Sequence, residues 1–194
     1  MFLLREPSAS AIESFLATQR QQPFSYPEVG ASRGPTPAGY NVDHNRVLLG
    51  SGEEAFARAA SAIRSWQMFD LGWCRLYPRG APVEVGTTVA VLVRHFGFWS
   101  LNACRIVYLL EEQGVLRRCG FAYGTVAEHA EVGEERFSVE WDQGDGSVWY
   151  DLYAFSRPGH LMARAAYPLS RALQRRFAQG SKAAMVRAVT GGRT

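Results

Sequence analysis

A chain of 194 residues, 47% hydrophobic and 20% charged, can bury one full core and is too short to ask for two. An aromatic content of 12% excludes a disordered chain. The net charge of +3 is modest, and nothing approaches the roughly 20 apolar residues of a membrane-spanning helix.

Met1-Phe-Leu-Leu4 is followed at once by Arg5 and Glu6, so no apolar run of signal length forms and a cytoplasmic protein is expected. Ser10-Ala-Ile-Glu13 has capping-box spacing, and Ile12, Phe15 and Leu16 share a face, which predicts a helix to about Gln21. Pro23 to Gly39 holds three Gly and four Pro, excluding helix and central strand alike. With Phe24, Tyr26 and Val29 to pin it, this segment reads as an ordered strap. Tyr40–Leu49 is strand-like. Ser51-Gly-Glu-Glu54 is a second capping box, and Phe56, Ala59, Ala60, Ile63 and Trp66 then recur at helical spacing.

From Leu71 the period changes. The segments 71–77, 87–96, 99–111, 115–126, 134–141 and 147–156 are β-branched or aromatic and bounded by turn residues, with a hairpin turn at Asp142-Gln-Gly-Asp-Gly146. After Pro158 the spacing is helical again: Leu161, Ala165, Leu169, Leu173 and Phe177 lie four apart. Consecutive strands joined by short turns pair antiparallel, and a lone amphipathic helix must lie across one face of their sheet. The order predicts an α+β helix-grip, START-like fold: a curved antiparallel sheet of about seven strands with a long C-terminal helix packed across it. A single domain is expected over 1–194, with 1–39 the helix and strap and 40–191 the body.

Several motifs together carry a closer resemblance. They are Phe24-Ser-Tyr-Pro-Glu-Val-Gly-Ala-Ser-Arg-Gly34, Gly39-Tyr-Asn-Val-Asp-His44, Gly120-Phe-Ala-Tyr-Gly-Thr125 with His129, Gly133-Glu-Glu-Arg-Phe137 and Ala154-Phe-Ser-Arg-Pro158. From about Phe24 to Met185 the chain resembles the domain-of-unknown-function family DUF1990 (UPF0548). The resemblance implies a START/Bet v 1-like fold of the SRPBCC superfamily. It implies no activity, so no catalytic residue carries over.

Charge is unevenly spread. Arg157 to Thr194 holds eight cations and no acid, whereas Glu128 to Asp151 holds eight acids against Arg136 alone. Such a helix suits an anionic membrane surface or nucleic acid, or lies beside its own acidic hairpin. The intramolecular reading is preferred because the charges are spaced around the helix; no nucleic-acid partner is expected, and a membrane surface stays open. Cys74, Cys104 and Cys119 sit among apolar neighbours and read as buried free thiols. His44, His95, His129 and His160 show no ligand spacing, so neither a metal nor a cofactor is expected.

Period two puts Glu135 on one face with Phe137, Val139 and Trp141, while Phe121, Tyr123 and Thr125 share a face of the preceding strand. A carboxylate on an apolar face has its pKa raised unless it is paired, the usual arrangement of a general acid or base. Glu135, Tyr123 and His129 are therefore the candidate catalytic groups; alternatively Glu135 pairs with an arginine and His129 is solvated. Arg105, mid-strand, holds a ligand anion if its face is the pocket, and partners a hairpin acid otherwise. Phe121, Phe137, Val139, Trp141 and Leu173 complete the expected ligand-binding wall. In Asp43-His44 the two side chains point to opposite faces, and a hydrogen-bonded strand histidine is the preferred reading. The function expected is binding of a hydrophobic small molecule, lipid, isoprenoid or polyketide-like. An acid-base enzyme acting on such a ligand (cyclase, dehydratase or isomerase) and a membrane-surface protein are the alternatives.

Overall fold

The computed structural model describes residues 1–95, 97–127, 129, 131–159 and 167–191. Eight strands form one antiparallel sheet: β1 (Phe2–Leu3), β2 (Asn41–Ser51), β3 (Cys74–Tyr77), β4 (Thr88–Arg94), β5 (Trp99–Glu112), β6 (Leu116–Thr125), β7 (Glu131–Asp142) and β8 (Ser147–Pro158). The order across the sheet is β2-β8-β7-β6-β5-β4-β3, with β1 added to the start of β5. This is the expected helix-grip. Seven strands fall where the residues place them, and the two-residue β1 was not foreseen because no period is legible over two residues. The β7–β8 turn forms as expected: Asp142 accepts the Gly144 N–H through Oδ1 and the Gly146 N–H through its carbonyl, each at 2.8 Å.

Alternation along the strands makes two distinct faces. On the inner face, Phe137 opposes Phe121 and Leu152, while Val139 opposes Cys119 and Tyr150. The core lies here, under α2 (Gly52–Arg64), a short turn at Gln67–Phe69, and α3 (Tyr167–Thr190). On the outer face, α1 (Ala9–Gln19) buries Ile12, Phe15 and Leu16 against Ala90, Leu92, Leu101 and Ala103.

Both capping boxes need correction. Ser8, not Ser10, caps α1, accepting the Ala11 N–H at 3.2 Å. Ser51 occupies the cap position of α2 without a side-chain bond; there Glu53 and Glu54 in the first turn complement the helix dipole. In α3, Ala178, Ser181, Met185 and Val189 are buried toward the sheet, and Ser181 meets the Tyr150 hydroxyl at 2.8 Å. Leu161 and Ala165 of the predicted run, and the side chain of Leu169, lie outside the described residues.

The charge pairing also differs from expectation. Because β7 sends Glu140 and β8 sends Asp151 outward, these two acids meet cations of the outer face. Glu140 pairs with Arg46 and Arg118 at 2.7 and 3.0 Å, and Asp151 with His44, Arg46 and Arg136 at 2.6, 3.2 and 3.2 Å. The α3 helix lies across the opposite face, where Asp43 of β2 pairs with Arg171, its Oδ1 accepting at 2.7 Å. Among the described residues, Glu131 is the hairpin acid that reaches α3, accepting from Ser170. No helix of the described residues is long and apolar enough to cross a membrane.

Candidate functional site

The inner face divides into two halves. Over one, Phe56 and Trp66 pack on Trp141 and Phe121 at ring-centroid distances of 5.8 and 4.7 Å, filling the space solidly. A 13-residue helix spans only about 20 Å and cannot cover the rest. The division is drawn by Phe69, which touches Phe137 at 5.7 Å and Phe177 of α3 at 5.1 Å. Beyond Phe69 the sheet and the first turns of α3 enclose a cavity of about 690 Å³. Val91, Val93, Cys104, Leu152, Leu173 and Phe177 supply apolar wall, with Glu135, Tyr123, Thr125 and His129 as polar groups.

Glu135 and Tyr123 are direct cross-strand partners, and the Tyr123 hydroxyl donates to Glu135 Oε2 at 2.7 Å. Among the described residues this is the bond its carboxylate makes, and no cation pairs with it. Burial, opposed by the Tyr123 hydrogen bond and aided by the charge of Asp43, pushes Glu135 up to about 7. Burial and the neighbouring carboxylate hold the Tyr123 hydroxyl well above its usual range, so it stays a donor. His129 Nδ1 accepts the Glu131 N–H at 3.0 Å, which leaves the ring proton on Nε2. Burial drives its pKa down to about 4, so the imidazole is neutral at pH 7. The cavity thus carries a carboxyl near its midpoint, a phenol that cannot ionise and a neutral imidazole. It can donate a proton and take one back without any charged partner.

Polar ties hold α3 over this space, among them Arg171 to Asp43, Ser170 to Glu131, and Gln174 Nε2 to Ser156 Oγ at 3.1 Å. Asp43 and Ser156 were not foreseen as part of the cavity rim. For Asp43 the signal was present, since it alternates with His44 and shares its face with Asn45 and Val47. His44 is a hydrogen-bonded strand histidine, as expected: it lies on the face opposite to Asp43, with Nε2 on Asp151 at 2.6 Å.

Of the expected ligand wall, Leu173 borders the cavity. Phe121, Phe137 and Val139 are fully buried in the filled half, and Trp141 packs there against Phe56. They fill the half beside the cavity instead of lining it. Arg105 stands on the outer face. Its Nη2 donates to the carbonyls of Gln19, Arg20 and Gln22 at 2.9, 3.0 and 2.9 Å, closing the end of α1. It is one residue out of step with the inward-facing Cys104 and Ile106, so it cannot reach the cavity. His129 is half-buried and lines the cavity, not solvated. The three cysteines are free and buried; burial pushes Cys74 up to about 12 and Cys119 to about 11, so they are not nucleophiles at neutral pH.

The neighbour of Glu135 has a different environment. Glu134 is 3% exposed on the outer face. It accepts from the Tyr26 hydroxyl and the Gly30 N–H, both at 2.7 Å, from the Ser32 N–H at 3.0 Å and from the Ser32 hydroxyl. These bonds pin the strap of residues 23–39 to the sheet. Gly124 permits it: a Cβ there would lie 2.0 Å from the Tyr26 hydroxyl oxygen.

Comparison with known proteins gives a match to the domain of unknown function DUF1990 over residues 25–184. A UPF0548 protein of Deinococcus radiodurans is 43% identical over 97% of this chain and 98% of its own length. A UPF0548 protein of Dictyostelium discoideum is 34% identical over 97% and 96%. Among solved structures, a hypothetical protein of Helicobacter pylori superposes with a TM-score of 0.50 at 13% identity, covering 75% of this chain and 86% of the other. That last likeness concerns the fold alone.

Proposed function

This chain belongs to the DUF1990 family, and we propose from the make-up of its cavity that it binds a hydrophobic small molecule between the sheet and α3. The supporting observation is an unfilled space of about 690 Å³ beside a fully packed one on the same sheet face. The volume lies within the roughly 300–1,000 Å³ usual for small-molecule sites, and an apolar wall with few convergent polar groups is their usual composition. In this reading Glu135 and Tyr123 orient the ligand's polar group, and His129 Nε2–H supplies a second donor. Native mass spectrometry of freshly purified protein tests it. A co-purified apolar molecule, released on denaturation, is expected. An empty protein whose melting temperature also fails to rise with any long-chain alcohol, isoprenoid or aromatic polyketide-like probe would sink the reading.

A second reading is favoured by one observation, the Glu135 carboxyl near 7 beside a phenolic donor. A group poised at the working pH is suited to general acid-base catalysis on the bound molecule, such as isomerisation or dehydration. Glu135→Gln then abolishes turnover of the co-purified ligand while leaving its affinity within about threefold, because the amide keeps the shape and loses the proton acceptor. An unchanged rate in that variant refutes catalysis by Glu135.

A further inference from the structure

Beside the cavity lies a second, more open groove of about 790 Å³ that the binding reading leaves unused. Its walls combine flat rings and guanidinium groups. Arg176 of α3 stands 4.4 Å from the ring centroid of Trp73, while Arg75 and Arg94 stand over Trp99 at 5.4 and 5.9 Å. One carboxylate, Glu6, reaches the groove and pairs with Arg75. Among the described residues neither Arg94 nor Arg176 has a carboxylate partner, and both are exposed. Trp73, His95 and Phe98 line the groove and the cavity alike, so the two spaces meet along one aromatic edge.

Guanidinium groups held on ring faces keep their N–H edges free, and those edges match the paired oxygens of a phosphate or carboxylate. An apolar cavity bordering a cationic groove describes one ligand with two ends. We infer that the groove binds the anionic head, a phosphate or carboxylate, of an amphipathic molecule whose apolar part occupies the cavity. The inference rests on the cavity being a binding site and adds the class of ligand it takes.

Isothermal titration of the whole chain with decyl phosphate, decanol and inorganic phosphate tests it. Decyl phosphate is expected to bind roughly tenfold or more tightly than decanol, the gain typical of charge-assisted hydrogen bonds, and far more tightly than inorganic phosphate. The double substitution Arg94→Gln with Arg176→Gln should erase that advantage and leave decanol binding where it was. Both positions are exposed, and circular dichroism checks that the variant keeps its fold. Equal affinity for the two amphiphiles, or an advantage that survives in the double variant, overturns the inference and leaves the cavity reading standing. Inorganic phosphate binding as tightly as decyl phosphate also overturns it, since the groove would then act alone. Failure of both amphiphiles to bind overturns the inference, and the cavity reading falls with it only when the isoprenoid and polyketide-like probes fail as well.

Discussion

Glu134 and Glu135 are adjacent in one strand and share almost nothing else. Glu134 points outward, receives two hydroxyl and two backbone donors, and fastens the strap. Glu135 points inward, receives one phenolic donor and faces a cavity. The carboxylate surrounded by donors is a structural anchor, tying the strap to the sheet. The half-buried carboxyl with one donor has its pKa raised to about 7 and faces the cavity. The number and kind of donors separate the two roles.

The largest expected effect breaks the structural half of this pair. Glu134→Ala leaves the Tyr26, Gly30 and Ser32 donors without their acceptor and should cost about 3 kcal/mol or more, read from urea unfolding. A loss below about 1 kcal/mol would show that the strap is not held by this carboxylate. Glu135→Gln should have the opposite sign. The folded-state pKa of about 7 lies above the ordinary 4.5, so the native state holds the extra proton between these values and stability falls as pH rises through that window. Removing the group should raise stability at pH 8 by about 1–2 kcal/mol, less than the full shift implies because the carboxyl faces a partly open cavity. A variant less stable than the parent at pH 8 would contradict a raised carboxyl.

Arg105→Gln is expected to cost about 1–2 kcal/mol by releasing three carbonyls at the end of α1, with no change in ligand affinity. Weakened ligand binding at unchanged stability would return Arg105 to the pocket. The subtlest test concerns His129. Its folded pKa of about 4 lies below the ordinary 6.5, so its contribution is lost as pH falls through that window. Between about 4.5 and 6.5 this slope opposes that of Glu135, and the two partly cancel in the parent protein. His129→Gln should unmask a decline in stability with rising pH, and Glu135→Gln a rise. Parallel pH profiles in the parent and both variants would exclude the pair of shifted groups.

The Glu134–Glu135 contrast also shows where sequence reasoning reached. Alternation in Glu134-Glu-Arg-Phe-Ser-Val-Glu-Trp141 put Glu135 on one face with Phe137 and opposite to Glu134, with Tyr123 in the strand before it, because the two-residue period is a local property of every strand. That this face is the inner one came from the fold. The change of period at Leu71 and its return after Pro158 likewise determined the helix-grip order, since turn chemistry and amphipathic spacing are written in neighbouring residues. Three further things were decided only by tertiary structure. Arg105 shares its strand with inward-facing residues, and its assignment waited on which face of that strand lay inside. Phe121, Phe137, Val139 and Trp141 do face the core, yet α2 fills their half and leaves the other half open, which depends on helix length and docking position. Asp43 meets Arg171 across 128 positions of chain, and Glu134 meets Gly30 across 104. Periodicity assigns a side chain to a face; what covers that face is set by packing between segments remote in sequence, on which no local pattern bears.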